Sequence, residues 1–79
     1  MDKIVTIYDD NVMEKKSSNI ARAVYVPHHE ALTVTFKNGG EYRYDRVPAS
    51  VADSMSLASS VGSYFHHCIR DNYPCTDLV

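Results

Sequence analysis

Apolar and polar positions alternate most clearly between residues 32 and 37. There Leu32, Val34 and Phe36 fall on one side of an extended chain and Thr33, Thr35 and Lys37 on the other. A period of two with one apolar face marks a half-buried strand. Asn38-Gly39-Gly40 follows, and then Tyr42 and Tyr44 alternate with Glu41, Arg43 and Asp45, so the chain turns back as a hairpin. A two-residue Asn-Gly loop would set Phe36 opposite Glu41 and mix the faces, whereas a three-residue loop pairs Phe36 with Tyr42 and Val34 with Tyr44. The spacing therefore predicts a type I turn whose third residue, Gly40, takes the left-handed conformation and forms a bulge.

Upstream, Ile20 to Val26 has the same strand-like pattern, and Pro27-His28-His29-Glu30 closes it, because proline cannot continue a ladder. Ile4 to Tyr8 reads as a short edge strand, set apart by the polar stretch Asp9 to Ser18. Beyond the hairpin the period changes. Pro48 suits the first position of a helix, where its missing donor is harmless, and Val51, Met55 and Ala58 then share one face. Ser59-Ser60-Val61-Gly62 interrupts that helix and Ser60 is the natural N-cap of a second. Its Phe65, Cys68, Ile69 and Asn72 recur at i, i+3, i+4 and i+7 before Pro74 ends it, which places Cys68 in the core. The order predicts an α+β domain: a small antiparallel sheet of three to five strands, followed by two short helices packed on one face, with the other face half-open.

A chain of 79 residues is one domain with a thin core, and self-association would help it. The hydrophobic fraction of 44% and charged fraction of 23% are those of a folded globular chain. Net charge is −2 with the cations scattered, so the broad basic field that coats duplex DNA is missing. The N-terminus lacks a leader pattern and nowhere do about 18 apolar residues run together, which predicts a cytoplasmic chain that does not enter a membrane. Two cysteines, Cys68 and Cys75, are too few for a disulfide framework and read as reduced thiols. No linker or repeat divides the chain.

Candidate chemistry is sparse. His28-His29 and His66-His67 are adjacent pairs whose side chains diverge, so neither pair grips one ion and no metal site or cofactor is expected. Cys68 follows His67 directly, which points the thiol and imidazole apart on a helix, and Cys75 falls in a tail after Pro74, where preorganisation is poor. The carboxylates show no paired spacing. No catalytic residue is assigned, and the expectation is a protein that is not an enzyme.

Several of these segments, taken in order, resemble a known family. Ser17-Ser18-Asn19-Ile20, Tyr25, Leu32 to Gly40, Tyr42-Arg43-Tyr44, Val47-Pro48, Ala58, Ser60 to Phe65 and Ile69-Arg70 are similar to the KTSC domain, named for its occurrence at the C-terminus of some lysyl-tRNA synthetases. The resemblance implies a KTSC-like domain over residues 17–75, an N-terminal extension over residues 1–16 with its own short strand, and a tail over residues 76–79. KTSC domains are small modules found alone in bacterial and phage proteins or appended to other domains.

The resemblance also marks Ser17, Ser18, Asn19, Arg22, Tyr44, Ser60, Gly62, Ser63, Tyr64 and Arg70, either as candidate ligand-binding residues or as structural ones that cap helices and tie the N-terminal loop down. Ser60 to Ser63 would supply a helix start with free backbone donors and a glycine permitting close approach, an anion-binding geometry. Arg70 stands about 15 Å along the helix from that start, too far to share its anion within one subunit. It would instead clamp the Ser17-Ser18-Asn19 loop or reach a ligand held between two copies. Six tyrosines exceed what so thin a core can hide, so some are free to stack a base or line an interface. The expected function is a homo-oligomeric binding module for a small phosphorylated, nucleotide-type ligand, such as a phage-encoded protein that sequesters a host immune signal in the host cytoplasm. The alternatives are a protein–protein adaptor and an RNA- or tRNA-binding accessory domain.

Overall fold

The computed structural model describes residues 3–13 and 16–78; Met1, Asp2, Glu14 and Lys15 of the expected extension and Val79 of the expected tail lie outside the described residues. Four strands come first: β1 (Val5–Asp9), β2 (Ile20–Val26), β3 (Ala31–Phe36) and β4 (Glu41–Tyr44). Two helices follow, α1 (Ala49–Leu57) and α2 (Val61–Tyr64), the latter running on as a π-helical segment over Phe65–Ile69. The chain then returns as β5 (Cys75–Asp77). The sheet is antiparallel throughout, in the order β1-β2-β3-β4-β5. The α+β fold class is as expected, but the fifth strand comes from a segment expected to be tail. Its Cys-Thr-Asp sequence has no apolar alternation, and the open edge of β4 recruits it by backbone pairing alone.

The β3–β4 hairpin corrects the predicted register. Val34 pairs with Tyr42 and Leu32 with Tyr44, two residues away from the expected partners. The loop is Lys37-Asn38-Gly39: Gly39 N–H donates to Phe36 O at 3.0 Å and Phe36 N–H to Gly40 O at 2.8 Å. Gly39, at φ +96°, therefore takes the left-handed position assigned above to Gly40. The turn type is the expected one, displaced by one residue. Asn38 favours the displacement, because its Oδ1 accepts from Gly40 N–H at 2.9 Å in a local side-chain turn. A shift of two in register leaves every side chain on its face, so the hydrophobic pattern is blind to it.

Pro48 caps α1 from an extended conformation, and the buried stripe is Ala52 and Met55, with Val51 half-buried. Ala58, expected on that stripe, is already the extended C-cap. Ser60 caps α2 as predicted, its Oγ accepting from Ser63 N–H at 3.3 Å. The second helix then departs from the α period: Arg70 N–H donates to Phe65 O at 3.0 Å, an i→i+5 bond. An i→i+5 turn takes in an extra residue, so a side chain three positions on falls well short of a full turn. Phe65 and Ile69 stay buried, while Cys68 and Asn72 are exposed, which corrects the placement of Cys68 in the core.

Both helical segments cover the same sheet face. The core runs from Ile7 and Tyr8 through Ala23, Leu32 and Val34 to Tyr44, closed by Met55, Phe65 and Ile69. Phe65 stands edge-on to two rings of the sheet, with centroids 5.5 Å from Phe36 and 5.3 Å from Tyr44. Tyr25 is buried with its hydroxyl donating to Val47 O at 2.5 Å, which ties the start of the helical layer to β2. On the opposite face, Thr6, Val24, Thr33, Arg43 and Thr76 form one row across all five strands; a short 3-10 turn, Pro27–His29, brings His29 to a depression that Thr33 and Arg43 also line.

Candidate functional site

The segment between β1 and β2 is held by a network around Asp10. The Tyr8 hydroxyl donates to Asp10 Oδ1 at 2.6 Å, Ser17 N–H donates to the Tyr8 oxygen, and Lys37 pairs with Asp10 Oδ2 at 3.4 Å while also donating to Ser17 O. The Tyr8 hydrogen bond, and after it Lys37, hold the Asp10 carboxyl below its ordinary value against a smaller opposing effect of desolvation. Ser17 Oγ in turn accepts from Ile20 N–H at 3.1 Å, and Lys37 N–H donates to Asn19 O at 2.9 Å. The Ser17-Ser18-Asn19 loop is thereby fixed by β1 and β3. Arg70, one of whose expected roles was to clamp it, instead meets His66 Nδ1 at 3.2 Å.

This loop packs onto the start of α2. A Cβ added at Gly62 would stand 2.8 Å from Asn19 Oδ1 and 3.2 Å from Ser17 Oγ, so only glycine admits the loop so closely. The space in front of Gly62 is therefore filled by the chain itself. Ser63 N–H and Tyr64 N–H are both bound, to Ser60 Oγ and Ser60 O respectively.

With Asn19 resting on Gly62, the ten candidate residues separate into distinct places. Asn19, Tyr44 and Arg70 line one groove of about 370 Å³, at the β4–β5 end of the covered face. Ser17, Ser18 and Ser60 line a second groove of the same size, on the β1 side. Ser63 and Tyr64 lie on a more open depression along the far side of α2. Arg22 pairs across the sheet with Thr35, is exposed, and lines none of the three.

The first groove holds the richer chemistry. Its wall is aromatic: Phe36 meets Tyr42 edge-on at 5.8 Å and Phe65 at 5.5 Å, and Tyr44 lies among them. Its rim carries Arg70 and His66 with Asp71 beside them, and Cys75 faces in from β5. Burial pushes the Tyr44 hydroxyl well above its ordinary value, the neighbouring Cys75 thiol adds to the shift, and Arg70 opposes it. The residue pattern missed Phe36, Phe65, His66, Asp71 and Cys75 as lining groups. Locating them requires the β4–β5 pairing and the π-helical phase, neither of which leaves a periodic trace. Among the described residues no three of His, Cys, Asp or Glu gather so as to hold a metal ion, and no helix is long and apolar enough to cross a membrane.

Comparison with known proteins places this arrangement. Lysine–tRNA ligases of Nostoc sp. and Trichormus variabilis are 32% and 30% identical to the chain over 67 residues. Those residues are 85% of this chain and 12% of each ligase, so the chain spans about an eighth of the length of these relatives. An uncharacterized protein of Stutzerimonas stutzeri is 31% identical over 58 residues, covering 73% of this chain and 82% of its own length. The crystal structure of a KTSC domain protein from Yersinia pestis shares the fold, with a TM-score of 0.80 at 23% identity over 98% of this chain and all of that one. The model of the KTSC domain itself matches residues 16–73. That match takes in β2, β3, β4 and both helical segments, and with them the close contact of Asn19 on Gly62, so the chain belongs to the KTSC domain family.

Proposed function

We propose that this protein is a binding module, not an enzyme, and that it holds a small phosphorylated ligand of nucleotide type in the groove at the β4–β5 end. One observation carries the reading: Arg70 and His66 stand at the rim of a groove whose wall is a cluster of edge-packed aromatic rings. A planar base stacks on such rings, a guanidinium binds phosphate through two parallel hydrogen bonds, and Asp71 accepts from a ribose hydroxyl or exocyclic amine. The helix start is not needed for this, because Ser17 and Asn19 already occupy the space before Gly62.

Assembly and setting belong to the same proposal. The β5 edge bounds the groove, so a second copy beside β5 would enclose a ligand more fully. Sequestration of a nucleotide-type signal in a host cytoplasm, by a phage-encoded form, is the setting we favour. Calorimetric titration of the full chain with cyclic and linear nucleotides tests it. The expected result is saturable binding of at least one nucleotide, weakened roughly tenfold or more in Arg70→Ala and weakened likewise for the nucleoside without phosphate. A panel without heat ends the nucleotide reading.

A second reading, an adaptor for another protein, is favoured by the row Thr6, Val24, Thr33, Arg43 and Thr76 on the opposite sheet face. Partner capture by that face would be unchanged by Arg70→Ala and lost on Thr33→Arg. An RNA-binding role, suggested by the ligase relatives, sits poorly with a net charge of −2.

A further inference from the structure

Asn38 and Gly39 stand at the tip of the β3–β4 hairpin, both exposed, and neither lines any of the three grooves. Of the four asparagines in the chain, Asn38 is the one followed by glycine; Asn11, Asn19 and Asn72 precede Val12, Ile20 and Tyr73. That neighbour governs a reaction an asparagine undergoes with its own chain, in which the backbone nitrogen of the next residue attacks the carboxamide carbon. A side chain on the next residue crowds the approach. Gly39 has none, and nothing lies within 4 Å of where its Cβ would stand.

The turn arranges the other atoms. Asn38 Oδ1 accepts from Gly40 N–H at 2.9 Å, so the carboxamide is folded back over the Gly39 backbone. Negative charge gathers on Oδ1 when the carboxamide carbon becomes tetrahedral, and Gly40 N–H already points at that atom, as a donor does in an oxyanion hole. One contact opposes the reaction: Gly39 N–H donates to Phe36 O at 3.0 Å, and the nitrogen must leave that bond to attack. The bond lies at an exposed hairpin tip, where local opening costs least.

We propose that Asn38 is a site of self-modification in the folded protein. Gly39 N bonds to Asn38 Cγ, the carboxamide nitrogen leaves as ammonia with the proton from Gly39 N, and water opens the resulting succinimide at one carbonyl or the other. Opening at the backbone carbonyl gives isoaspartate, and opening at Cγ gives aspartate. Water is the one co-reactant, and nothing is oxidised or reduced. Either product adds a negative charge to a chain of net charge −2. Aspartate keeps the acceptor for Gly40 N–H. Isoaspartate reroutes the main chain through Cβ and Cγ, which removes that side-chain turn and adds a main-chain atom to the loop that sets the β3–β4 register. The change reaches the groove at the β4–β5 end through Tyr42, whose Cε2 would stand 3.2 Å from a Cβ on Gly40.

The test holds the folded full chain at neutral pH for weeks and follows it by intact mass and peptide mapping. The mass gain of exchanging NH for O should accumulate at Asn38 roughly tenfold or more faster than at Asn11, Asn19 or Asn72. Asn38→Gln, whose extra methylene carries the carboxamide past Gly39 N, should abolish it. After separation by ion exchange, the isoaspartyl form should show a lower urea midpoint and displaced Tyr42 resonances, and the aspartyl form near-native values. A parallel sample unfolded in urea separates the fold from the dipeptide. Conversion there but not in the folded chain would show that the bond to Phe36 O protects the site, and would overturn the proposal. Conversion in neither sample, or at equal rates at all four asparagines, overturns it as well. None of these outcomes bears on nucleotide binding at Arg70.

Discussion

Asn19 lies against the Cα of Gly62, so close that a Cβ at residue 62 would stand 2.8 Å from the carboxamide oxygen. One contact between a loop and a helix start therefore divides the covered face into two grooves. It also sets two effects against each other at residue 62. Alanine is the better helix former by up to about 1 kcal/mol, but it must push Asn19 away from its bond with Ser17 Oγ. Gly62→Ala should leave the protein no more stable than the native chain, whereas in an Asn19→Ala background the same change should stabilise it by up to about 1 kcal/mol. Urea midpoints of the four proteins measure the coupling. Additive effects would show that the loop does not rest on Gly62.

Gly39→Ala isolates the backbone term at the hairpin. The residue sits at φ +96° and nothing lies within 4 Å of the added methyl, so any loss of stability is conformational. The expected loss is about 1–2 kcal/mol, read from the urea midpoint at unchanged slope. Gly40→Ala leaves φ in the allowed region and meets only side-chain atoms of Asn38 and Tyr42 at 3.2 Å, so it should cost less. The reverse ranking would restore the turn in which Gly40 is left-handed.

Acid should loosen the loop before it unfolds the sheet. The Asp10 carboxyl is held below its ordinary value, first by the Tyr8 hydroxyl and then by Lys37. Its stabilising contribution is thus fully present above the ordinary carboxylate range, near pH 4, and is lost as pH falls through the lower folded-state value. Asp10→Asn should flatten the pH dependence of stability in that window and speed amide exchange at Ser17, where the Tyr8 hydroxyl is the acceptor. An unchanged acid limb would remove Asp10 from the network.

Alkali acts on Tyr44 with the opposite sign. Burial raises its phenol, so the folded state keeps the proton that the unfolded state would release. Stability is unaffected below the ordinary tyrosine value, near pH 10, and declines above it towards the folded-state value. Tyr44→Phe should reduce that decline, as followed by circular dichroism against pH. Equal alkaline loss in both proteins would transfer the effect to Tyr8 or Tyr25, which burial also raises.

Thiol chemistry distinguishes the π-helical segment from the regular helix that the spacing predicts. Cys68 on an unbroken α-helical stripe would be buried, whereas both cysteines are exposed thiols. A disulfide reagent should therefore modify two thiols per native chain without waiting for unfolding. One protected thiol, assigned to Cys68 by peptide mapping, would restore the regular helix.

The sequence by itself determined the elements with their own periodic or terminal signals. The alternation in residues 32–44 produced the hairpin and its faces, Pro27 ended β2, and Ser60 capped the second helix. These are local effects, in which side-chain period, a missing donor or a cap hydroxyl acts within a few residues. Three features were decided only by the tertiary structure. The register of β3 on β4 moved by two because that shift preserves the faces and is chosen by turn geometry. β5 formed because the edge of β4 was open, with no strand signal in Cys75-Thr76-Asp77. The π turn kept Phe65 and Ile69 on the buried side and turned Cys68 and Asn72 out to the surface, at the expense of the helical period. The candidate ligand residues show the same division: their chemical types were readable along the chain, but their separation into grooves follows from Asn19 packing on Gly62, a contact between residues 43 positions apart that no local pattern encodes.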